Sequence, residues 1–337
     1  MNIKKRFLTL LLISLVIHAG CFKGIKVNDI NEKPVPIETM LSNALSDLGL
    51  MTEIYGSSSL KIQSAPLVDR TGPEWKKGGE ISRSFTEKIK SAVSSIGGRV
   101  KFIPYDPVFA HVQMVKYETD IEKRLFPDVV IEGEIINFNP GEKEKGGKGC
   151  SARIAFDFID FHTLASIPRV RTENDVQVNK GKKRNTLGIM LSGSLYQKEG
   201  AIEKTNGGGD RATRMLVELS VIQLIGKHLA IPYWRLLDGA EADPIVFDAI
   251  KWTYYKMDER EKISKVQELL FLHGYDVTPS GTMNMETKIA LQDYENTQTL
   301  FHRPVDQNLF FKLYLSLPIT DETLEKRFYL DRMLNPS

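Results

Sequence analysis

Residues 211–229, RATRMLVELSVIQLIGKHL, constrain the fold of this chain more than any other stretch. Apolar side chains almost encircle the helix they would form, interrupted by Glu218, Gln223 and Lys227. A helix that is apolar on nearly every side needs cover on nearly every side. The charges within it argue against a membrane span. The segment therefore predicts a helix sandwiched between a sheet and a neighbouring element, with Asp210 as its cap after the glycines at 207–209.

Upstream, the pattern supplies that sheet and those neighbours. At 36–48 the residues Ile37, Leu41, Ala44, Leu45 and Leu48 recur at helical spacing, with Pro36 suited to a first turn. An alternating run at 60–68 reads as a strand and ends in a turn cluster at 69–73. Ile81, Phe85, Ile89, Ala92, Val93 and Ile96 trace one helix face, stopped by Gly97 and Gly98. A short strand at 100–104, a less regular helical region at 111–123 and a buried strand at 128–138 follow. Runs at 152–161 and 169–178 complete a strand-rich middle. The sum is an α/β class domain, a mixed α+β sheet with packing helices.

After Leu237 the character changes. A linker at 238–257 carries a connecting helix at 244–257, and 263–317 reads as a small all-α three-helix bundle. Gly274 caps its first helix, the second starts near Asn284, and Asp306 caps the third. The expected organisation is a leader at 1–20, a tether and helix at 21–45, the α/β domain at 46–237, the linker at 238–257 and the bundle at 258–320.

The N-terminus sets the compartment. Lys4, Lys5 and Arg6 precede an uncharged apolar run at 7–17, and Ala19-Gly20 precede Cys21. This is the build of a secretory signal peptide. The order Ala-Gly-Cys resembles a bacterial lipobox, with His18 where an aliphatic residue is usual. The resemblance implies lipidation of Cys21, and Phe22 after it implies the outer membrane, facing the periplasm. The whole chain has 45 Lys and Arg against 43 Asp and Glu, and three of the positive residues lie in the leader. A near-neutral remainder offers no clustered basic face for nucleic acid. Cys150 is the other cysteine, so the chain has no disulfide framework.

The residues show no catalytic constellation, and the expectation is a protein that is not an enzyme and needs no cofactor or metal. The six histidines lack ligand spacing. His273 suits a helix C-terminus better than a metal. Ser192-Gly193-Ser194 lacks the frame of a nucleophile elbow. Asp157 and Asp160 point to opposite faces of one strand. The basic cluster Lys180 to Arg184 reads as a hairpin tip.

Two family resemblances follow from particular residues. The run Val266-Gln267-Glu268-Leu269-Leu270, then His273-Gly274-Tyr275, Ser280-Gly281, Thr287, and Val305-Asp306 with Leu313, resembles the three-helix peptidoglycan-binding domain. The resemblance implies that Tyr275, Ser280, Gly281, Thr287 and Tyr294 contact the wall. Ser280 in place of Asp, and Asp293-Tyr294-Glu295 at the end of helix two, depart from the usual pattern. The stretch 45–237, with Val68-Asp69-Arg70-Thr71-Gly72 and Val129-Val130-Ile131-Glu132-Gly133-Glu134-Ile135-Ile136, resembles the curli secretion-channel lipoproteins.

That second resemblance implies a homo-oligomeric ring, built through sheet edges and the last helix of the domain. Between 138 and 151 there is no room for the two spanning strands the family would place there. Leu187, Ile189, Leu191 and Leu195 alternate as a candidate membrane strand, but charged neighbours flank them. The expectation is an outer-membrane lipoprotein that serves export or assembly of a surface structure and ties other components of that machine to peptidoglycan. Alternatives are a secretion channel with 170–205 inserted, and an accessory that recruits a wall hydrolase.

Overall fold

The computed structural model describes residues 38–72, 76–77, 79–104, 107–116, 125–139, 150–180, 186–203, 208–296 and 304–334. From Glu38 onward they form one compact unit. Cys21, the leader and the tether lie outside the described residues.

In chain order the elements are α1 (Ser42–Ile54), β1 (Leu60–Ser64), β2 (Val68–Asp69), β3 (Lys76–Lys77), α2 (Glu80–Ile96), β4 (Val100–Phe102) and α3 (Pro107–Lys116). Then come β5 (Val129–Asn139), β6 (Ser151–Asp160), β7 (Thr172–Lys180), β8 (Thr186–Gly193), β9 (Tyr196–Glu203) and α4 (Gly208–His228). The helical part is α5 (Pro244–Lys256), α6 (Glu259–Leu272), α7 (Met285–Glu295), α8 (Gln307–Leu315) and α9 (Asp321–Leu334).

The sheet is mixed, as the pattern requires. β1 pairs in parallel with β4 and with β5, and from β5 to β9 each strand pairs antiparallel with the next. The expected strand at 60–68 divides in two. Both β1 and β2 run parallel along the same partner β5, and the break holds Pro66, which has no N–H to donate to the ladder. β9 and α9 are additions that the sequence pattern did not suggest.

One face of the sheet is covered by helices. Ile154, Phe156, Phe158, Val176, Ile189 and Leu191 point into this layer and are buried. α4 lies on β6, β7 and β8, with α1 and α2 packed against it. Its Leu216, Val217, Leu219, Val221, Ile222, Leu224 and Ile225 are all 0% exposed. Each such side chain contributes roughly 1.5–3 kcal/mol of transfer free energy. The opposite face is open and polar, with Arg153, Glu173, Gln177, Asn179, Gln197 and Glu199 exposed along alternate positions.

One detail corrects the expectation for α4. The helix begins at Gly208, so Asp210 sits inside its first turn and pairs with Lys88 at 2.7 Å instead of capping it. Beyond that turn the helix is enclosed by its own chain. Gly226 shows how tightly it is enclosed: a Cβ there would come within 2.4 Å of the Tyr233 ring. A helix-interior glycine costs about 1 kcal/mol against alanine, and here it lets the Tyr233–Leu236 turn lie directly on α4.

The bundle starts where the caps predict. Asp243 accepts from the Ile245 N–H, Asp258 and Glu261 form a capping box, and Asn284 and Asp306 cap α7 and α8. Gly274 adopts φ +100 after α6, the left-handed conformation that ends helices. α9 then packs against both α1 and α6.

Candidate functional site

The five residues expected to meet the wall divide into two groups. Ser280, Gly281 and Thr287 gather around Gln267, which α6 presents fully buried. The Gln267 Oε1 accepts from the backbone N–H groups of Ser280 at 2.8 Å and Gly281 at 3.0 Å. Its Nε2 donates to Thr287 Oγ1 at 2.7 Å and to the Thr282 carbonyl at 2.9 Å. Gly281 has φ +71, and a Cβ there would meet Arg260 Cγ at 2.5 Å. Thr287 is itself buried and donates to Asn284 Oδ1. This group therefore pins the α6–α7 connection to α6 and has little left to offer a ligand.

Tyr275 and Tyr294 form the second group, nearer the surface. Tyr275 stands edge-on to Tyr294 at 6.1 Å, and the His273 ring tilts over Tyr294 at 5.3 Å. Lys312 from α8 places its Nζ 4.9 Å from the Tyr294 ring centroid. The Tyr294 hydroxyl lies 3.1 Å from Ser316 Oγ, and His273 Nε2 lies 2.9 Å from the Leu313 carbonyl. Burial pushes the His273 pKa down, with the Leu313 hydrogen bond opposing, so the ring is neutral at pH 7. A neutral imidazole with two tyrosines and one cation makes a stacking corner with polar tips, suited to a sugar ring and a carboxylate.

On the sheet, the candidate membrane strand is used inside the chain. Ile189 and Leu191 are buried beneath α4, Leu187 is half-buried on the same face, and Leu195 lies in the β8–β9 turn. In this conformation their apolar face meets helix and not lipid. The open face carries ion pairs instead: Glu134 receives both Arg70 and Arg171, and the Ser192 hydroxyl donates to Asp175. A shallow hollow of about 340 Å3 lies here among Arg153, Glu173, Asp175, Ser192 and Ser194.

The interruptions in α4 have a purpose that the sequence could not show. Asn174 on β7 donates to Ser220 Oγ and Gln223 Oε1, each at 2.8 Å. One turn on, Lys227 donates to the Arg171 carbonyl at 3.0 Å and lies 3.9 Å from the fully buried Asp243. Asp243 also accepts from Tyr233 at 2.6 Å. Burial lowers the Lys227 pKa while Asp243 raises it, and burial with the adjacent carboxylate pushes the Tyr233 phenol far up. Glu218 accepts from Thr39, beside Arg214 at 4.0 Å. The only hint in the sequence was that polar residues stood where an apolar helix did not need them.

Among the described residues no group of three His, Cys, Asp or Glu side chains is placed to hold a metal ion. Cys150 is free and buried, with its thiol pKa raised by burial. The tip of the β7–β8 hairpin, with most of the basic cluster, lies outside the described residues.

No protein-family model matches the chain, and no curated protein matches it. Solved structures give partial superpositions. A PelC dodecamer from Paraburkholderia phytofirmans matches 50% of this chain and 88% of its own, at 10% identity and a TM-score of 0.28. Lipoprotein GNA1162 from Neisseria meningitidis matches 50% of this chain and 99% of its own, at 10% identity and a TM-score of 0.26. At such scores these likenesses carry no weight for function.

Proposed function

We propose that this chain is a lipid-anchored, periplasm-facing bridge that holds a component of a surface-structure export or assembly machine against the peptidoglycan layer. The observation that carries this reading is the joint between the helical part and the α/β layer. Arg327 of α9 donates to the Ile54 carbonyl at 2.8 Å while pairing with Glu268 of α6 at 2.6 Å. Tyr55 donates to the Tyr314 carbonyl at 2.8 Å, and Arg235 reaches both the Tyr55 hydroxyl and the Leu317 carbonyl. A bridge must carry load from one attachment to the other, and buried polar bonds of this kind resist sliding where apolar packing alone would allow it.

The attachments themselves come from the sequence. Ala19-Gly20-Cys21 supplies the lipid, and the Tyr275, Tyr294 and His273 corner supplies a grip on glycan or stem peptide. Two weak attachments on one rigid chain give avidity beyond either. Among the described residues no helix is long and apolar enough to cross a membrane. We assign no catalytic role to the chain. Sedimentation with purified sacculi tests the wall grip. The natively lipidated protein should pellet with them, and Tyr294→Ala should weaken pelleting by about tenfold, the loss of one aromatic stacking partner with its cation. A wild-type protein that stays in the supernatant would end the bridging proposal.

A further inference from the structure

We propose that one end of this molecule, formed by the β6–β7 turn and the outer surface of α5, rests on a lipid bilayer with anionic headgroups. The inference goes beyond the bridging function and needs neither its anchor nor its wall grip. The β6–β7 turn is tightly braced. Asp160 Oδ1 accepts from the His162 and Thr163 N–H groups at 3.0 and 2.7 Å and from the Thr163 hydroxyl at 2.9 Å. The Leu164 N–H donates to the Asp160 carbonyl at 2.9 Å. This frame holds Leu164 77% exposed, at φ +59. A leucine is unfavourable there on both counts, since its side chain stays in water and its Cβ crowds the backbone in the left-handed region. Strain kept without packing in return belongs to functional surfaces.

The same end of the sheet receives α5. Lys227 joins the Arg171 carbonyl, just before β7, to the buried Asp243 that caps α5. Arg169 reaches Asp248 on the helix at 2.7 Å, and is itself left-handed at φ +68. At about 100° per residue, Lys251, Tyr255, Trp252 and Lys256 follow one another across roughly 140° of α5. Trp252 is 63% exposed and Tyr255 57%, and both lysines are exposed with no acidic partner among the described residues. Asp248, the acid within this arc, is neutralised by Arg169. The Tyr255 hydroxyl donates to Gln307 Oε1 at 2.8 Å, which fixes that ring. Tryptophan and tyrosine settle at the level of lipid headgroups, and lysine lays its stem on apolar surface with the ammonium in water. A projecting leucine reaches the acyl region beneath them. The two lysines give the surface its sign and so select anionic lipid. These groups project from a turn and a helix, which a flat bilayer accepts, whereas a small ligand calls for a concave site.

The test places the natively processed full chain on vesicles of phosphatidylcholine, with or without phosphatidylglycerol, whose acyl chains carry bromine. Bromine quenches indole on contact, and the difference between wild type and Trp252→Phe isolates the Trp252 emission. That emission should be quenched on vesicles with phosphatidylglycerol and not on phosphatidylcholine alone. Lys251→Gln combined with Lys256→Gln should lower the ratio of docked to free ends by about thirtyfold. Leu164→Gly should also reduce quenching, without lowering the melting temperature, because glycine suits the left-handed backbone. Flotation that needs phosphatidylglycerol and is lost in the lysine variant supports the inference and removes the lipid anchor. Protein that floats while Trp252 stays bright overturns the inference and leaves the anchor standing; protein that does not float at all overturns both. Quenching undiminished in the lysine variant, or a lower melting temperature for Leu164→Gly, overturns it as well. So does a shift of Trp252 emission on soluble peptidoglycan fragments with none on vesicles.

Discussion

Gln267 is a single neutral side chain that fixes the path of a whole connection. Replacing it with leucine leaves the Ser280 and Gly281 N–H groups without their acceptor, and Thr287 and Thr282 without their donor. We expect Gln267→Leu to cost about 2–4 kcal/mol, as a shift in urea midpoint with little change of slope. Glu218 makes the opposite case. Burial raises its pKa, with Thr39 and Arg214 opposing, so the native state holds this proton more tightly than the unfolded chain. Its contribution to stability is therefore fully present below the unfolded value near 4.5 and falls as pH rises through the native value. Glu218→Gln should keep the Thr39 hydrogen bond, raise the melting temperature at pH 7 and flatten that part of the pH profile. A lower melting temperature at pH 7 would mean that the ionised form is the stabilising one.

At the scale of elements, the linkage between α4 and α5 is the most exposed to mutation. Asp243 caps α5, accepts from Tyr233 and faces Lys227, all while fully buried. Asp243→Ala strands a buried cation and should cost about 3–5 kcal/mol in calorimetry, whereas Asp243→Asn keeps the cap and should lose less. Gly226→Ala improves helix propensity yet should destabilise, because its Cβ would overlap the Tyr233 ring.

Elements also show what could be read in advance. Every apolar residue used to predict α2 is buried except Ile81, which is half-buried, because a single stripe facing one layer leaves a clean period. The all-round character of α4 correctly implied cover on both sides. α9 was illegible because its buried face is built from Thr323, Arg327 and Leu330, and a buried arginine hides a helical stripe. Its partners, Ile54 O and Glu268, lie far away in sequence. Of the residues singled out for the wall, Tyr275 and Tyr294 come together at the surface, while Ser280, Gly281 and Thr287 are held by Gln267. No local pattern announces such a hub, since its four partner residues, Ser280, Gly281, Thr282 and Thr287, lie on a loop and the next helix, 13 to 20 positions away.

For the molecule as a whole, the joint decides whether the two parts unfold as one. Burial pushes the Glu268 pKa up, but Lys265 and Arg327 outweigh it and hold the carboxyl below its usual range. A depressed native value gives stability that is present above the unfolded pKa and lost as pH falls through the native one. The joint should thus loosen in acid. Calorimetry at pH 7 should show one transition for the wild type, and Arg327→Ala should split it or lower it by about 3–5 kcal/mol equivalent. A single unshifted transition in the variant would mean that the apolar packing of α9 suffices alone.

The bond from Arg327 to the Ile54 carbonyl also has a consequence in time. The strands from β5 to β9 pair with their sequence neighbours and can form as the chain emerges, whereas α1 is completed by a helix near the opposite terminus. During synthesis the surface of α1 that meets α9 stays open until residues 321–334 arrive. The order of emergence therefore makes α9 a completion signal, and the interval before it docks is when a chaperone or protease would find this protein vulnerable.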